Sequence, residues 1–169
     1  MKLNFGPRNV IQLDHARICF RNFEGRKDQY NPGGKRSFAV VIDDEEIKDA
    51  LVNDTNRFGV GWNVKIRPPR EEGEDAFMYM NVNVKFNDRG PDVYLVSGDA
   101  EPVKLSEEAV RCIDQMDISH CDMDIRPYDG EMRGEAFRSA YLQEIWVYQN
   151  VSRFASRLSP RDGEGTLPF

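Results

Sequence analysis

Six cations, Arg17, Arg21, Arg26, Lys27, Lys35 and Arg36, fall within residues 17–36 against only Glu24 and Asp28. The window therefore carries +4 in a chain of 169 residues whose formal net charge is −6, which leaves −10 on everything else. A positive segment inside an acidic protein implies an anionic partner met at one place. Phe20, Phe23, Tyr30 and Phe38 sit in or beside the same window. Cations among exposed rings are the chemistry of single-stranded nucleic-acid binding, in which charges follow the phosphates and rings stack on bases. A solvated hairpin loop whose aromatics belong to the core would have the same composition, so the rest of the chain must decide.

A second set lies in two alternating stretches. In 62–67, Trp62, Val64 and Ile66 share one face, and Asn63, Lys65 and Arg67 share the other. In 77–86 the even residues Met78, Met80, Val82, Val84 and Phe86 are all apolar, while the odd residues are Phe77, Tyr79, Asn81, Asn83 and Lys85. Side chains alternate across a sheet, so the even set is expected in the core. If the two strands pair, Lys65, Arg67, Phe77, Tyr79 and Lys85 merge into one polar-aromatic surface with the amides. A covering helix or loop is the alternative for the two rings.

Carboxylates offer a different chemistry. Asp122 and Asp124 share a face of one strand, with Asp129 and Glu131 near in sequence and Glu144 on the strand expected to pair with it. That spacing suits a divalent cation, and hence a metal-dependent nuclease using Asp122 and Asp124. A charged outer face beside Arg126 is the structural alternative. The acid run 43–46 reads as capping and dipole stabilisation of a helix. His120 and Cys121 point to opposite faces of a strand and share no metal easily, and no GxSxG, HExxH, GxxxxGK[ST] or GxGxxG occurs.

The elements that must position these residues follow from periodicity. Residues 10–20 read as one strand, with Ala16, Ile18 and Phe20 on one face and His15, Arg17, Cys19 and Arg21 on the other. Gly25, Pro32, Gly33 and Gly34 punctuate a long loop, and 37–42 is the returning strand. A short helix over 43–52, strands at 92–97, 118–126 and 136–149, a helix over 106–116 and a DG turn in 127–134 complete the pattern. About seven mostly antiparallel strands, without a βαβ rhythm, fit a small twisted barrel; a five-stranded OB barrel leads, with a sandwich also open. Three cysteines, Cys19, Cys112 and Cys121, without CxxC, point to reduced thiols in a cytosolic setting. No apolar run reaches membrane-spanning length, and the opening MKLNFGPRNV lacks the apolar core of a secretory signal.

Residues 159–169, SPRDGEGTLPF, have loop composition and end in an apolar tip, Leu167, Pro168 and Phe169. A terminal ring and carboxylate suit capture by a basic, apolar pocket; a frayed end is the bland reading.

An acidic single-domain chain with a basic-aromatic strand–loop–strand, a polar-aromatic strand face and a tail ending LPF resembles the single-stranded DNA-binding proteins of bacteriophages. The likeness is one of layout over residues 10–169, with the tip as its literal match. It implies an OB fold that coats and protects single strands during DNA replication or recombination, in the cytoplasm of a host cell. It also implies that the tail recruits replication or recombination proteins. The expected fold is thus mainly β: an OB-fold-like antiparallel barrel with one or two short inserted helices over 1–158, and a flexible C-terminal tail over 159–169. The expected DNA-binding residues are Arg17, Arg21, Phe23, Arg26, Lys27, Tyr30, Lys35, Arg36, Lys65, Arg67, Phe77, Tyr79 and Lys85. Leu167, Pro168 and Phe169 are the partner-binding tip. No catalytic residue, cofactor, metal or membrane contact is expected, and a homo-oligomer is compatible with a sequence silent on assembly.

Overall fold

Alternating apolar residues build the molecule as a set of strands, and a computed structural model describes residues 1–151 of it. The expected tail 159–169, with Leu167, Pro168 and Phe169, lies outside the described residues, as does the stretch 152–158. The strands are β1 (Lys2–Phe5), β2 (Ile11–Ala16), β3 (Ile18–Asn22), β4 (Arg36–Ile42), β5 (Val64–Arg67), β6 (Phe77–Val84), β7 (Asp92–Ser97), β8 (Val103–Leu105), β9 (Ile118–Met132) and β10 (Glu135–Gln149). Helix α1 (Glu45–Asn53) is capped by the Asp44 side chain, which accepts from the Glu46 N–H, and Glu45 and Glu46 lie at its positive end.

The hydrogen-bonded path runs β1-β2-β9-β10-β6-β4-β3, with β5 added to β6, and β7 and β8 beside β10. The sheet is mixed and not closed by a ladder. Its two arms are joined covalently instead, because β2 and β3 are successive segments separated only at Arg17. The bend lets one run of chain pair with β9 on one side and with β4 on the other. The pairing is mostly antiparallel, as expected, with β10 adding parallel contacts to β6 and β7.

Inward-facing Ile11, Leu13, Phe38, Val40, Met78, Met80, Val82, Met123, Ile125, Leu142 and Ile145 fill the interior, joined by Leu51 of α1 and by Trp62. The even residues of β6 are core, as their alternation requires. The expected helix over 106–116 is a 3₁₀ segment, Ala109–Gln115, whose Val110 and Ile113 are buried.

Two further expectations are corrected. Residues 10–20 are not one regular strand: His15 (φ 55°) and Phe20 (φ 50°) adopt the left-handed region, and the pairing slips at both places. Each slip reverses the inward and outward assignment that follows it. The expected turn at 127–134 is strand as far as Met132, and the chain reverses at Arg133 and Gly134. Asp129 is held in the strand by Arg138, and a Cβ on Gly130 would lie 2.6 Å from the Phe137 ring. Both halves of the turn signal thus answer to strand contacts. Pro127 is tolerated because β9 loses its second neighbour after Ile125, so one strand edge is free.

Candidate nucleic-acid interface

Register places the second set of residues on one surface. Lys65 lies opposite Tyr79 and Arg67 opposite Phe77, and Tyr79 lies opposite Val41 on the other side. Phe77 and Tyr79 have ring centroids 5.5 Å apart and planes 29° apart. Phe20 meets both edge-on, at 6.3 Å from Phe77 and 5.4 Å from Tyr79. The Arg67 guanidinium carbon lies 5.8 Å from the Phe20 centroid and 5.9 Å from each of the other two. Three rings and one guanidinium, with the exposed Lys65 alongside, form a platform on the outer face of β3, β5 and β6. Edge-to-face and offset contacts hold the rings to one another while leaving area open to solvent. Phe20 is 54% exposed. No helix covers it.

Phe20 is the residue that sequence reasoning missed. Strict alternation puts it with Ala16 and Ile18 on the core face, and the left-handed backbone at Phe20 itself turns its ring outward. No local residue pattern signals that slip. Phe23 is the converse correction. It is fully buried, stacked on Phe38 at 5.2 Å, and its N–H donates to the Asp114 carboxylate, so it cannot stack on a base.

Residues 23–35 form a loop organised by its own side chains. The Asn22 side-chain Oδ1 accepts from the Gly25 and Arg26 N–H groups at 3.0 and 2.8 Å. Asn31 donates to the Arg26 and Lys35 carbonyls, both at 2.9 Å, and accepts from the Lys35 N–H. Asp28 accepts from the N–H groups of Tyr30 and Asn31. Gly25 (φ 76°) approaches Gly34 so closely that a Cβ would sit 2.7 Å from the Gly34 carbonyl oxygen. The loop thereby presents Arg26, Lys27, Tyr30 and Lys35 to solvent, Tyr30 at 88% exposure.

The remaining expected cations divide. Arg17 and Lys85 are exposed. Arg21 instead donates to the carbonyls of Ile113 and Met116 at 2.7 and 2.6 Å, tying β3 to the 3₁₀ segment. Arg36 donates to the Phe23 carbonyl and pairs with Glu107 at 2.8 Å. These two guanidiniums are committed to internal partners. A cleft of about 420 Å³ lies between the loop and β6, lined by Lys35, Asn83, Lys85 and Tyr141 among others. Asn83 there donates to the Ala140 carbonyl.

The carboxylates gather elsewhere. Asp14, Asp122, Asp124 and Glu144 border one small cavity with Trp146. Burial, then the neighbouring Glu144 and Asp14, pushes the Asp124 carboxyl above its ordinary value. Asp122 accepts from the His15 N–H at 2.8 Å. Among the described residues no group of three or more His, Cys, Asp or Glu side chains is arranged to hold a metal ion. Burial raises Cys121 to about 12, and it also raises Cys19 against the opposing Arg67, Arg17 and Arg21.

The profile of the phage ssDNA-binding domain family matches residues 3–157. No curated protein matches the chain. Among solved structures, the chain resembles the C-terminally truncated single-stranded DNA-binding protein from bacteriophage Enc34, with a TM-score of 0.54 at 15% identity over 87% of this chain and 89% of that one. The same phage protein in complex with ssDNA matches with a TM-score of 0.54 at 14% identity, covering 88% of this chain and 91% of that one. At these identities the likeness is one of fold.

Proposed function

The chain belongs to the phage ssDNA-binding domain family, and on that premise we propose that it binds single-stranded DNA with little regard to sequence and without catalysis. The observation that carries the reading is the solvent-facing cluster of Phe20, Phe77 and Tyr79 about one guanidinium, Arg67. Every base has a face that can stack on such rings, which makes recognition tolerant of sequence. Lys65 lies beside the platform, and it and the exposed Arg17, Arg26, Lys27, Lys35 and Lys85 hold phosphates. The role is to coat and protect single strands during phage DNA replication or recombination in a host cell. In this reading the C-terminal tip, Leu167, Pro168 and Phe169, recruits partner proteins.

Competition between labelled oligo(dT) and unlabelled single-stranded or duplex DNA tests the reading. We expect single strands to displace the label and duplex to do so poorly. Tyr79→Ala should weaken binding by about five- to a hundredfold, the range for losing one stacked base. Equal competition by duplex, or no binding to oligo(dT), would overturn it.

A further inference from the structure

Beyond Ile125, β9 pairs among the described residues with no strand but β10, so the pair projects as a two-stranded ribbon from Pro127↔Ala140 to Met132↔Glu135. Its two faces differ. On one, Arg138 is buried with its guanidinium gripping Asp129 at 2.7 and 3.1 Å, donating to the Asp54 carbonyl at 2.8 Å and lying over the Trp62 ring. Asp129 also accepts from Asn56 at 2.9 Å, so this face is clamped to the loop after α1. The other face carries Tyr128, Phe137 and Tyr141, with centroids of Phe137 and Tyr141 at 6.1 and 6.2 Å from Tyr128. Each outer ring of the ribbon has a small residue opposite: Tyr128 faces Ser139 and Phe137 faces Gly130. Phe137 therefore lies down over Gly130, while Tyr128 stands 54% exposed. Arg126 lies over the Tyr141 ring at 5.2 Å.

This is a second group of rings with a guanidinium, held rigidly from behind. It is continuous with the first. Tyr141 is paired in register with Asn83, two alternations along β6 from Tyr79, so the intervening Asn81 and Asn83 bridge the two groups across about 13 Å of strand. Lys35 and Lys85 flank the junction.

Resting on the reading of the first platform, we infer that Tyr128, with Tyr141 and Arg126, forms a second base-stacking site on the ribbon, occupied by the same single strand after it crosses Asn81 and Asn83. Phe137 and Arg138 are positioning residues: the first supports the Tyr128 ring, and the second fixes the ribbon against the body.

Length separates the two sites. An oligo(dT) of about 5 nucleotides, near the low end of the ~4–16 nucleotides typical of such domains, fits one platform, whereas one of about 20 spans both. With the full chain, Tyr128→Ala should lower affinity for the long probe by about five- to a hundredfold and leave the short probe unchanged. Tyr128→Trp should bind the long probe at least as well as the native chain. Tyr79→Ala should weaken both. Binding of both probes by Tyr128→Ala at native affinity, or an equal loss on both, would remove the ribbon site and leave the first platform standing. Failure of the native chain to bind either probe would remove both.

Discussion

Phe23 lies flat against Phe38 with planes 10° apart, so Phe23→Ala empties space the core cannot refill. The expected cost is about 3–5 kcal/mol in chemical denaturation. Three residues earlier, Phe20 is 54% exposed with its ring edge-on to Phe77 and Tyr79, and Phe20→Ala should cost no more than about 1.5 kcal/mol. Oligo(dT) binding should drop about five- to a hundredfold in Phe20→Ala. A reversal of the two outcomes would mean that the slip at Phe20 is wrongly placed. That pair also marks the limit of residue-level reading. Phe77 and Tyr79 were legible because both faces of β6 alternate without exception. Phe20 and Phe23 were exchanged because a left-handed backbone at Phe20 leaves no trace in residue type.

At the scale of elements, β9 and β10 were legible as strands, but the extension of β9 past Arg126 was hidden by a turn signal, Asp129 followed by Gly130. Asp129 is there for Arg138 and Gly130 for the Phe137 ring, contacts between positions that a local pattern does not connect. Arg138→Ala should destabilise the fold by about 1–3 kcal/mol, through the lost hydrogen bonds to Asp129 and the Asp54 carbonyl and the lost packing on Trp62. The Arg138 guanidinium holds the Asp129 carboxyl below its ordinary value. A depressed carboxylate contributes stability above its unfolded value, and that contribution fades as pH falls through the folded one. Asp129→Asn should therefore be less stable than native near neutrality, with the gap closing in acid; a gap constant with pH would contradict the ion pair. The loop 23–35 was legible as a loop from Gly25, Pro32, Gly33 and Gly34, though not the asparagines that order it. Asn31→Ala should weaken DNA binding by roughly two- to tenfold, the effect of losing about 0.5–1.5 kcal/mol of organising hydrogen bond.

Over the whole molecule, charge is partitioned. Arg67 and Lys65 lie at the platform and Arg26, Lys27 and Lys35 on the exposed loop, while Asp14, Asp122, Asp124 and Glu144 collect at one cavity on β2, β9 and β10. This separation was partly visible as the +4 window in a chain of −6, but Arg21 and Arg36 proved to be internal fasteners. If about six cations meet phosphates, log K should fall against log salt with a slope near −4, at ~0.7 per contact on single strands. Asp124, raised by burial and by Glu144 and Asp14, works in the opposite sense to Asp129. Its protonated form is favoured in the fold, so its contribution is present in acid and lost as pH rises through its folded value. Asp124→Asn should thus gain stability near neutrality, by less than about 1 kcal/mol for so solvated a group; a loss would assign that carboxylate a structural partner.

The most direct measurement is photochemical cross-linking of the chain to an oligo(dT) carrying 5-bromodeoxyuridine, followed by mass spectrometry of the adducts. The account predicts adducts at Phe20, Phe77 and Tyr79, lost on competition with unlabelled single strands. Adducts at Tyr94, Trp146 or Tyr148 of β7 and β10, with those three rings unmodified, would contradict it.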